Sequence, residues 1–247
     1  MALTDKLTAI ANAIRSKTGS SESLTLDGMV TAIEVISGSV NDGTTGYIVD
    51  RSISGNYINN NVTTIGEYAL YKCENLSTVN FPEVTSIGMH AFECCSSLTS
   101  VKFESATSIG MGAFVECSSL TSLEFPSVTN VGSSAFSKCN VLTSVTLPKA
   151  TKIEAHAFDS CYSLTTIDLP AITYIGGEAF GMTMLTTLII RTEGTVCTLA
   201  GILGDSEIAL GRGFIYVPDN LVDSYKTATN WSTYANQIKP LSEYTEV

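Results

Sequence analysis

Charged residues are scarce in this chain, and basic residues are scarcer than acidic ones. Asp, Glu, Lys and Arg make up 15% of its 247 residues, and 13 Lys and Arg stand against 24 Asp and Glu, for a net charge of −11. An ordinary soluble domain has about 25% charged residues. The acidic balance, with no basic cluster, argues against a nucleic-acid partner and against attachment to anionic membranes.

Long apolar runs are missing as well. No run approaches the roughly 18 residues that a transmembrane helix needs, so we expect no membrane insertion. Residues 1–14 include Asp5 and Lys6 and lack the basic start and apolar stretch of a secretion signal, so we expect the chain to begin in the cytosol. Seven cysteines are an odd number in a chain of this kind, which favours reduced thiols over a disulfide framework.

The sequence repeats itself every 22 residues. Segments that begin at residues 62, 84, 106, 128, 150 and 172 align without gaps until the last. A fixed period of this length is typical of a solenoid, in which equivalent positions of successive coils stack. Six columns are apolar or small in every coil and are predicted to form the core; in the first coil they are Ile65, Ala69, Leu70, Cys73, Leu76 and the pair Val79 and Phe81.

Each coil carries the signals of three short elements. The apolar pair two residues apart predicts a half-buried strand, which a proline closes in most coils. A second extended piece is predicted at V-T-S-I, and the A-F-x-x-C stretch has helical spacing over one or two turns. The cysteine column puts Cα atoms near enough for disulfides, but parallel side chains and a reducing compartment favour packed thiols.

The repeat resembles a known family. The pattern I-G-x-x-A-F-x-x-C-x-x-L-T-x-V-x-[FL]-P, over residues 62–193, is similar to the BspA-like, Treponema-type leucine-rich repeats. The resemblance implies a right-handed, β-rich α/β solenoid. The flanks at residues 48–53, 216–220, Trp231 and 239–240 resemble those of such repeats in prophage-encoded proteins of gut Firmicutes.

Four parts of the chain are predicted from these patterns. Residues 1–37 form a helical hairpin, in which Leu3, Leu7, Ile10 and Ile14 make one helix amphipathic. Residues 38–46 are a linker, residues 47–193 the solenoid, and residues 194–247 a cap with a strand at 214–217 and a helix from about Asp219. The segment L-T-x-I-A-x-A-I-R-x-K-T-G resembles the N-terminal stretch of phage tail-associated proteins. That resemblance implies attachment or oligomerisation, for example as a homotrimer.

Residues suited to catalysis or metal binding are few. The two histidines, His90 and His156, fall in one column about 14 Å apart, too far to share a metal ion. His90 and Cys94 make half a zinc site at best, and an exposed turn is the plainer interpretation. No Ser or Cys has an evident base, so we expect neither enzyme activity nor a cofactor or metal.

One outward column varies from coil to coil beside a column that stays Ser or Thr. It contains Asn80, Lys102, Glu124, Thr146 and Asp168. The two columns predict a flat polar face, which either binds a partner or is a solvated sheet surface.

These patterns lead to a hypothesis with two rivals. The chain is interpreted as a non-enzymatic, tail-associated structural protein of a phage or prophage virion, assembled in the bacterial cytoplasm. Its N-terminal part would join tail proteins, and its repeat face would adhere to a host cell-surface glycan or protein. The rivals are a BspA-like adhesin on the bacterial cell surface and a cytosolic interaction scaffold.

Overall fold

The computed structural model describes residues 53–58, 60 and 62–245, which wind into a parallel β-solenoid. Each coil as far as residue 200 contributes one strand to a front sheet and one to a back sheet, joined by a turn side. The predicted solenoid of 22-residue coils is therefore confirmed. The predicted hairpin and linker, at 1–46, lie outside the described residues.

The front sheet follows the predicted main strands. Val79 pairs with Val101, and Leu123 pairs with Val145. The strands of the front sheet are β1 (Gly55–Ile58), β3 (Leu76–Asn80), β5 (Ser100–Lys102), β7 (Ser122–Glu124), β9 (Ser144–Thr146), β11 (Thr166–Leu169), β13 (Thr187–Ile190), β15 (Phe214–Val217) and β16 (Ile238–Pro240). They form two parallel ladders, one from β1 to β5 and one from β7 to β16, which follow each other along the rod.

The back sheet is built from the V-T-S-I segments. Its seven strands pair in one unbroken parallel order and span about 29 Å at the usual strand spacing. They are β2 (Thr64–Ile65), β4 (Ser86–Ile87), β6 (Ser108–Ile109), β8 (Asn130–Val131), β10 (Lys152–Ile153), β12 (Tyr174–Gly176) and β14 (Thr198–Ala200).

The turn side is not helical, so that part of the prediction is wrong. The N–H groups of Tyr68 and Leu70 donate to the carbonyl oxygens of Met89 and Ala91 in the next coil, at 2.9 and 2.7 Å. A helix would need those N–H groups for bonds within its own segment. Stacking supplies partners in the adjacent coil, so the segment runs as successive turns instead.

Two positions per coil on the turn side have left-handed backbone, which lets alternate N–H groups point along the rod. Their φ values lie between 51° and 62° in all six coils. The first position holds Tyr68, His90, Gly112, Ser134, His156 and Glu178, and the second holds Lys72, Cys94, Glu116, Lys138, Ser160 and Met182.

All six predicted core columns are buried, which confirms them. Phenylalanine rings of successive coils stack nearly parallel, with centroids 4.9–5.7 Å apart and planes within 15°, from Phe92 to Phe180. In the cysteine column, the Sγ atoms of Cys95, Cys117 and Cys161 lie 3.1–3.2 Å from carbonyl oxygens of the preceding coil. The thiol thus fills a small apolar space and also donates a weak hydrogen bond.

Strands after residue 193 extend both sheets rather than forming a separate layer. β14 pairs with β12, β15 with β13, and β16 with β15. Between β15 and β16 lie a 3-10 turn (Asp219–Leu221), the helix α1 (Val222–Thr227) and a second 3-10 turn (Trp231–Tyr234), and a third (Leu241–Glu243) follows β16.

Aromatic side chains of this last part satisfy the backbone of the final coil. Trp231 Nε1 donates to the Cys197 carbonyl at 2.6 Å, and the Cys197 N–H donates to the Tyr225 hydroxyl at 2.9 Å. The Leu203 N–H donates to the Tyr234 hydroxyl at 2.8 Å. Trp231, Tyr234 and Ile238 are buried.

Candidate binding face

The five residues of the predicted face lie at one register position on the outward side of the front sheet. Asn80 pairs with Lys102, Glu124 with Thr146, and Thr146 with Asp168. Lys102, Glu124 and Thr146 are exposed, and Asn80 and Asp168 are half-buried. We call these five residues the outward column. That they bind a partner stays a prediction.

Hydroxyl groups line the surface beside the outward column. Thr78, Ser100, Ser122, Ser144 and Thr166 occupy the register position two residues earlier in each coil. One residue before this hydroxyl column, the hydroxyls of Thr99 and Thr143 donate to carbonyl oxygens of the preceding coil at 3.0 and 3.2 Å. This part of the surface therefore carries only short side chains.

Two residues of the outward column form ion pairs. Lys102 lies 2.8 Å from Glu104, which raises the pKa of Lys102. Arg191 Nε donates hydrogen bonds to Asp168, at 2.8 Å to Oδ2 and 3.1 Å to Oδ1. The sequence pattern did not identify Arg191, because the last repeat is one residue short and shifts the alignment there.

A cleft of about 540 Å³ opens on the front sheet between the second and third coils. Val101, Lys102, Phe103, Glu104, Glu124 and Pro126 line it. The strand ladder is interrupted here, since β5 pairs only with β3 and β7 only with β9. Glu104 stands where other coils have proline (Pro82, Pro126), so the repeat itself marks this coil as different.

A second, more open groove of about 590 Å³ runs along the turn side. Its centre is Glu116, which accepts a hydrogen bond from Lys138 Nζ at 2.6 Å and lies 3.5 Å from Cys94 Sγ. Lys138 lowers the pKa of Glu116, whereas burial and the Glu116 carboxylate raise the pKa of Cys94 to about 11. The arrangement favours a protonated thiol, which is a poor nucleophile.

The two histidines both sit at left-handed turn positions. His90 stacks on Tyr68 with centroids 5.0 Å apart, and its Nδ1 lies 2.7 Å from Glu93. A Cβ on Gly112 would come within 2.5 Å of the His90 ring, which explains the glycine there. His156 lies 3.8 Å from Glu178. Within the described part of the chain, no three His, Cys, Asp or Glu side chains are grouped to hold a metal ion.

The other predicted contact residues lie beyond the described range. Leu3, Leu7, Ile10 and Ile14 of the predicted attachment helix belong to residues 1–52, which the structure does not describe. Among residues 53–245 as described, no helix is long and apolar enough to cross a membrane.

Comparison with protein families identifies the class. The model of the BspA type leucine rich repeat region, in six copies, matches residues 50–148 and 85–198, more than half of the chain. The chain belongs to this family. Solenoids of this class are protein-interaction scaffolds, and this one is a leucine-rich-repeat protein of the BspA type.

Two solved structures are similar to this chain. A leucine-rich repeat protein from Bacteroides ovatus is 24% identical, with a TM-score of 0.52 over 72% of this chain and 53% of its own. A leucine rich cell surface protein from Faecalibacterium prausnitzii is 36% identical, with a TM-score of 0.48 over 53% of this chain and 37% of its own. The chain therefore spans about half or less of the length of these two proteins. No curated protein matches the chain.

Proposed function

We propose that this chain is a non-enzymatic binding protein that holds its partner against the outward column of the front sheet. The observation that carries this proposal is the geometry of that face. A column of changing charge and size lies beside a uniform hydroxyl column, in register within each of the two strand ladders, and the cleft at Lys102 and Glu124 separates the ladders. A rigid face of this kind presents a pattern to a partner at little cost in side-chain entropy.

We further propose that the binding is adhesion by a tail-associated protein of a phage or prophage virion. The N-terminal segment would join tail proteins, and the rod would contact a glycan or protein of the host surface. What supports this context is the resemblance of residues 7–19 to the N-terminal stretch of phage tail-associated proteins, and of the repeat flanks to prophage-encoded proteins. A BspA-like adhesin at the bacterial cell surface is the second candidate, because the repeat family alone favours adhesion equally.

Binding to cells of gut Firmicutes, measured by flow cytometry with fluorescently labelled full-length protein, tests the face. The variant Lys102→Glu, Glu124→Lys, Asp168→Lys changes the net charge by +2 and should reduce binding at least tenfold. The control Thr85→Lys, Thr129→Lys makes the same net change at exposed positions just before the back-sheet strands β4 and β8, and should bind as the wild type does. Equal loss in both variants, or unchanged binding by the first, would contradict a front-sheet site.

The virion role has its own test. After prophage induction, mass spectrometry of purified particles should detect the protein at a stoichiometry comparable to other tail proteins. Its absence from particles, together with digestion by protease added to intact uninduced cells, would favour the cell-surface adhesin instead.

A further inference from the structure

Exposed apolar side chains gather on the turn side of the C-terminal coils. Val141, Tyr162, Met182 and Met184 are 41%, 47%, 50% and 51% exposed. Tyr162 and Met184 occupy equivalent positions in consecutive coils, and Met182 stacks on Ser160, whose Oγ lies 3.8 Å from the Met182 sulfur. We call these four residues the apolar patch.

The same positions are polar in the earlier coils. Glu74, Ser96, Ser118 and Asn140 precede Tyr162 and Met184 in their column, and Lys72, Cys94, Glu116 and Lys138 precede Met182 in its column. The apolar patch is therefore a local departure from the repeat. Methionine and tyrosine adapt to varied apolar partners, and such groupings mark interaction surfaces.

Acidic groups border the apolar patch. The Asp159 carboxylate accepts a hydrogen bond from Ser160 at 3.0 Å, and Glu178 and Asp205 are exposed nearby along the same side. The turn segments that contain Tyr162 and Met184, residues 155–165 and 177–186, have neither Lys nor Arg, and Lys138 in the coil of Val141 is paired with Glu116 at 2.6 Å. A partner that fits must combine an apolar stripe with basic flanks.

The chain itself contains such a partner sequence. The predicted helix over residues 1–17 has Leu3, Leu7, Ile10 and Ile14 on one face, and three basic residues, Lys6, Arg15 and Lys17, against one acidic residue, Asp5. From Leu3 to Ile14 a helix rises about 16 Å. From Val141 to Met184 the apolar patch covers two coil steps, which is about 10 Å between backbones and about 15 Å with side chains.

We propose that the apolar patch binds residues 1–17 of a second copy of this chain. The chain enters the described rod at Ile53, at the end opposite to the apolar patch. Two antiparallel rods would bring the N-terminal end of each beside the apolar patch of the other. Residues 18–52 can extend to about 115 Å, so they do not limit this exchange. This inference rests on the proposed function for the attaching role of the N-terminal segment. It deepens that function, because the contact would supply the self-association.

Light scattering on the full-length protein tests the exchange. At about 1 to 100 µM, the range in which micromolar contacts are populated, the wild type should have the mass of two or more chains. Both the patch variant (Met182→Ser, Met184→Ser) and the segment variant (Leu7→Asp, Ile10→Asp) should have the mass of one. The control Ile58→Ser, Met111→Ser removes exposed apolar side chains elsewhere and should keep the wild-type mass.

A mixture of the two defective variants separates exchange between copies from docking within one chain. The segment variant still has an intact patch and the patch variant an intact segment, so an equimolar mixture should regain complexes through one contact. A monomeric wild type, oligomers that persist in the patch variant, or a mixture that stays monomeric would each overturn the proposal. None of these results depends on cell binding, so they do not decide whether the front sheet is the host-binding face.

Discussion

The cysteine thiols of this rod differ in how deeply they are buried. Six of the seven cysteines are buried in the core, and only Cys94 is half-exposed, on the turn side. Burial raises the pKa of Cys139 and Cys197 to about 12, while Cys94 is raised to about 11 with help from the adjacent carboxylates of Glu116 and Glu93. Access and protonation therefore act together to keep these thiols unreactive.

Alkylation by iodoacetamide should show this at Cys94. Because the thiolate reacts and the pKa is raised, the rate in the native protein should rise about tenfold per pH unit from pH 7 and show no plateau below about pH 10. Glu116→Gln removes the nearest negative charge, which lowers the pKa and should accelerate alkylation at pH 8 at least several-fold. Mass spectrometry should find one modified cysteine in native protein and seven after unfolding without reductant. A plateau near pH 8.5, or fewer than seven reactive thiols in unfolded protein, would contradict this account.

Turn-side segments are the elements whose conformation depends most on their neighbours. Each places two non-glycine residues in left-handed backbone in most coils, a conformation that costs L-residues roughly 1–2 kcal/mol each. Hydrogen bonds between coils offset that cost, because alternate N–H groups find carbonyl oxygens one coil away. Glycine should therefore be tolerated at these positions and not in the strands.

The same substitution, Ser→Gly, should have different effects on the free energy of unfolding at two positions. Ser134 has φ 55°, so Ser134→Gly should leave the free energy of unfolding unchanged or raise it by up to about 1 kcal/mol. Ser144 lies exposed in strand β9, so Ser144→Gly should lower it by about 0.5–1 kcal/mol. Urea titrations followed by circular dichroism measure both. Destabilisation of equal size at the two sites would show that the left-handed backbone is not strained.

At the scale of the whole rod that residues 53–245 describe, each coil contacts only its neighbours. A coil at either end therefore has support from one side only. At the C-terminal end, Trp231, Tyr225 and Tyr234 close the last coil by hydrogen bonds to its backbone. The stability of the final coils should depend on this closure, while central coils are supported from both sides.

Removing Trp231 should expose that dependence. Trp231→Ala loses a buried side chain and the donor to the Cys197 carbonyl, and should cost about 3–5 kcal/mol, whereas Trp231→Phe keeps most of the volume and should cost about 1–2 kcal/mol. Hydrogen exchange should accelerate first around residues 197–217 and least around Ile109 and Val131. Uniform loss of protection along the rod would instead indicate a single cooperative unit.

Local pattern in the sequence was enough for the period, the core columns and the outward column, since a solenoid repeats the same burial in every coil. The columns of Ile65 and Leu76 could be read from one-dimensional spacing, because apolar side chains have only the interior to occupy. The tertiary structure alone decided the turn conformation, the Asp168–Arg191 pair and the break in the strand ladder between β5 and β7. Each of these depends on contacts between residues about one coil apart, whose hydrogen bonds and packing outweigh the propensities of the local segment.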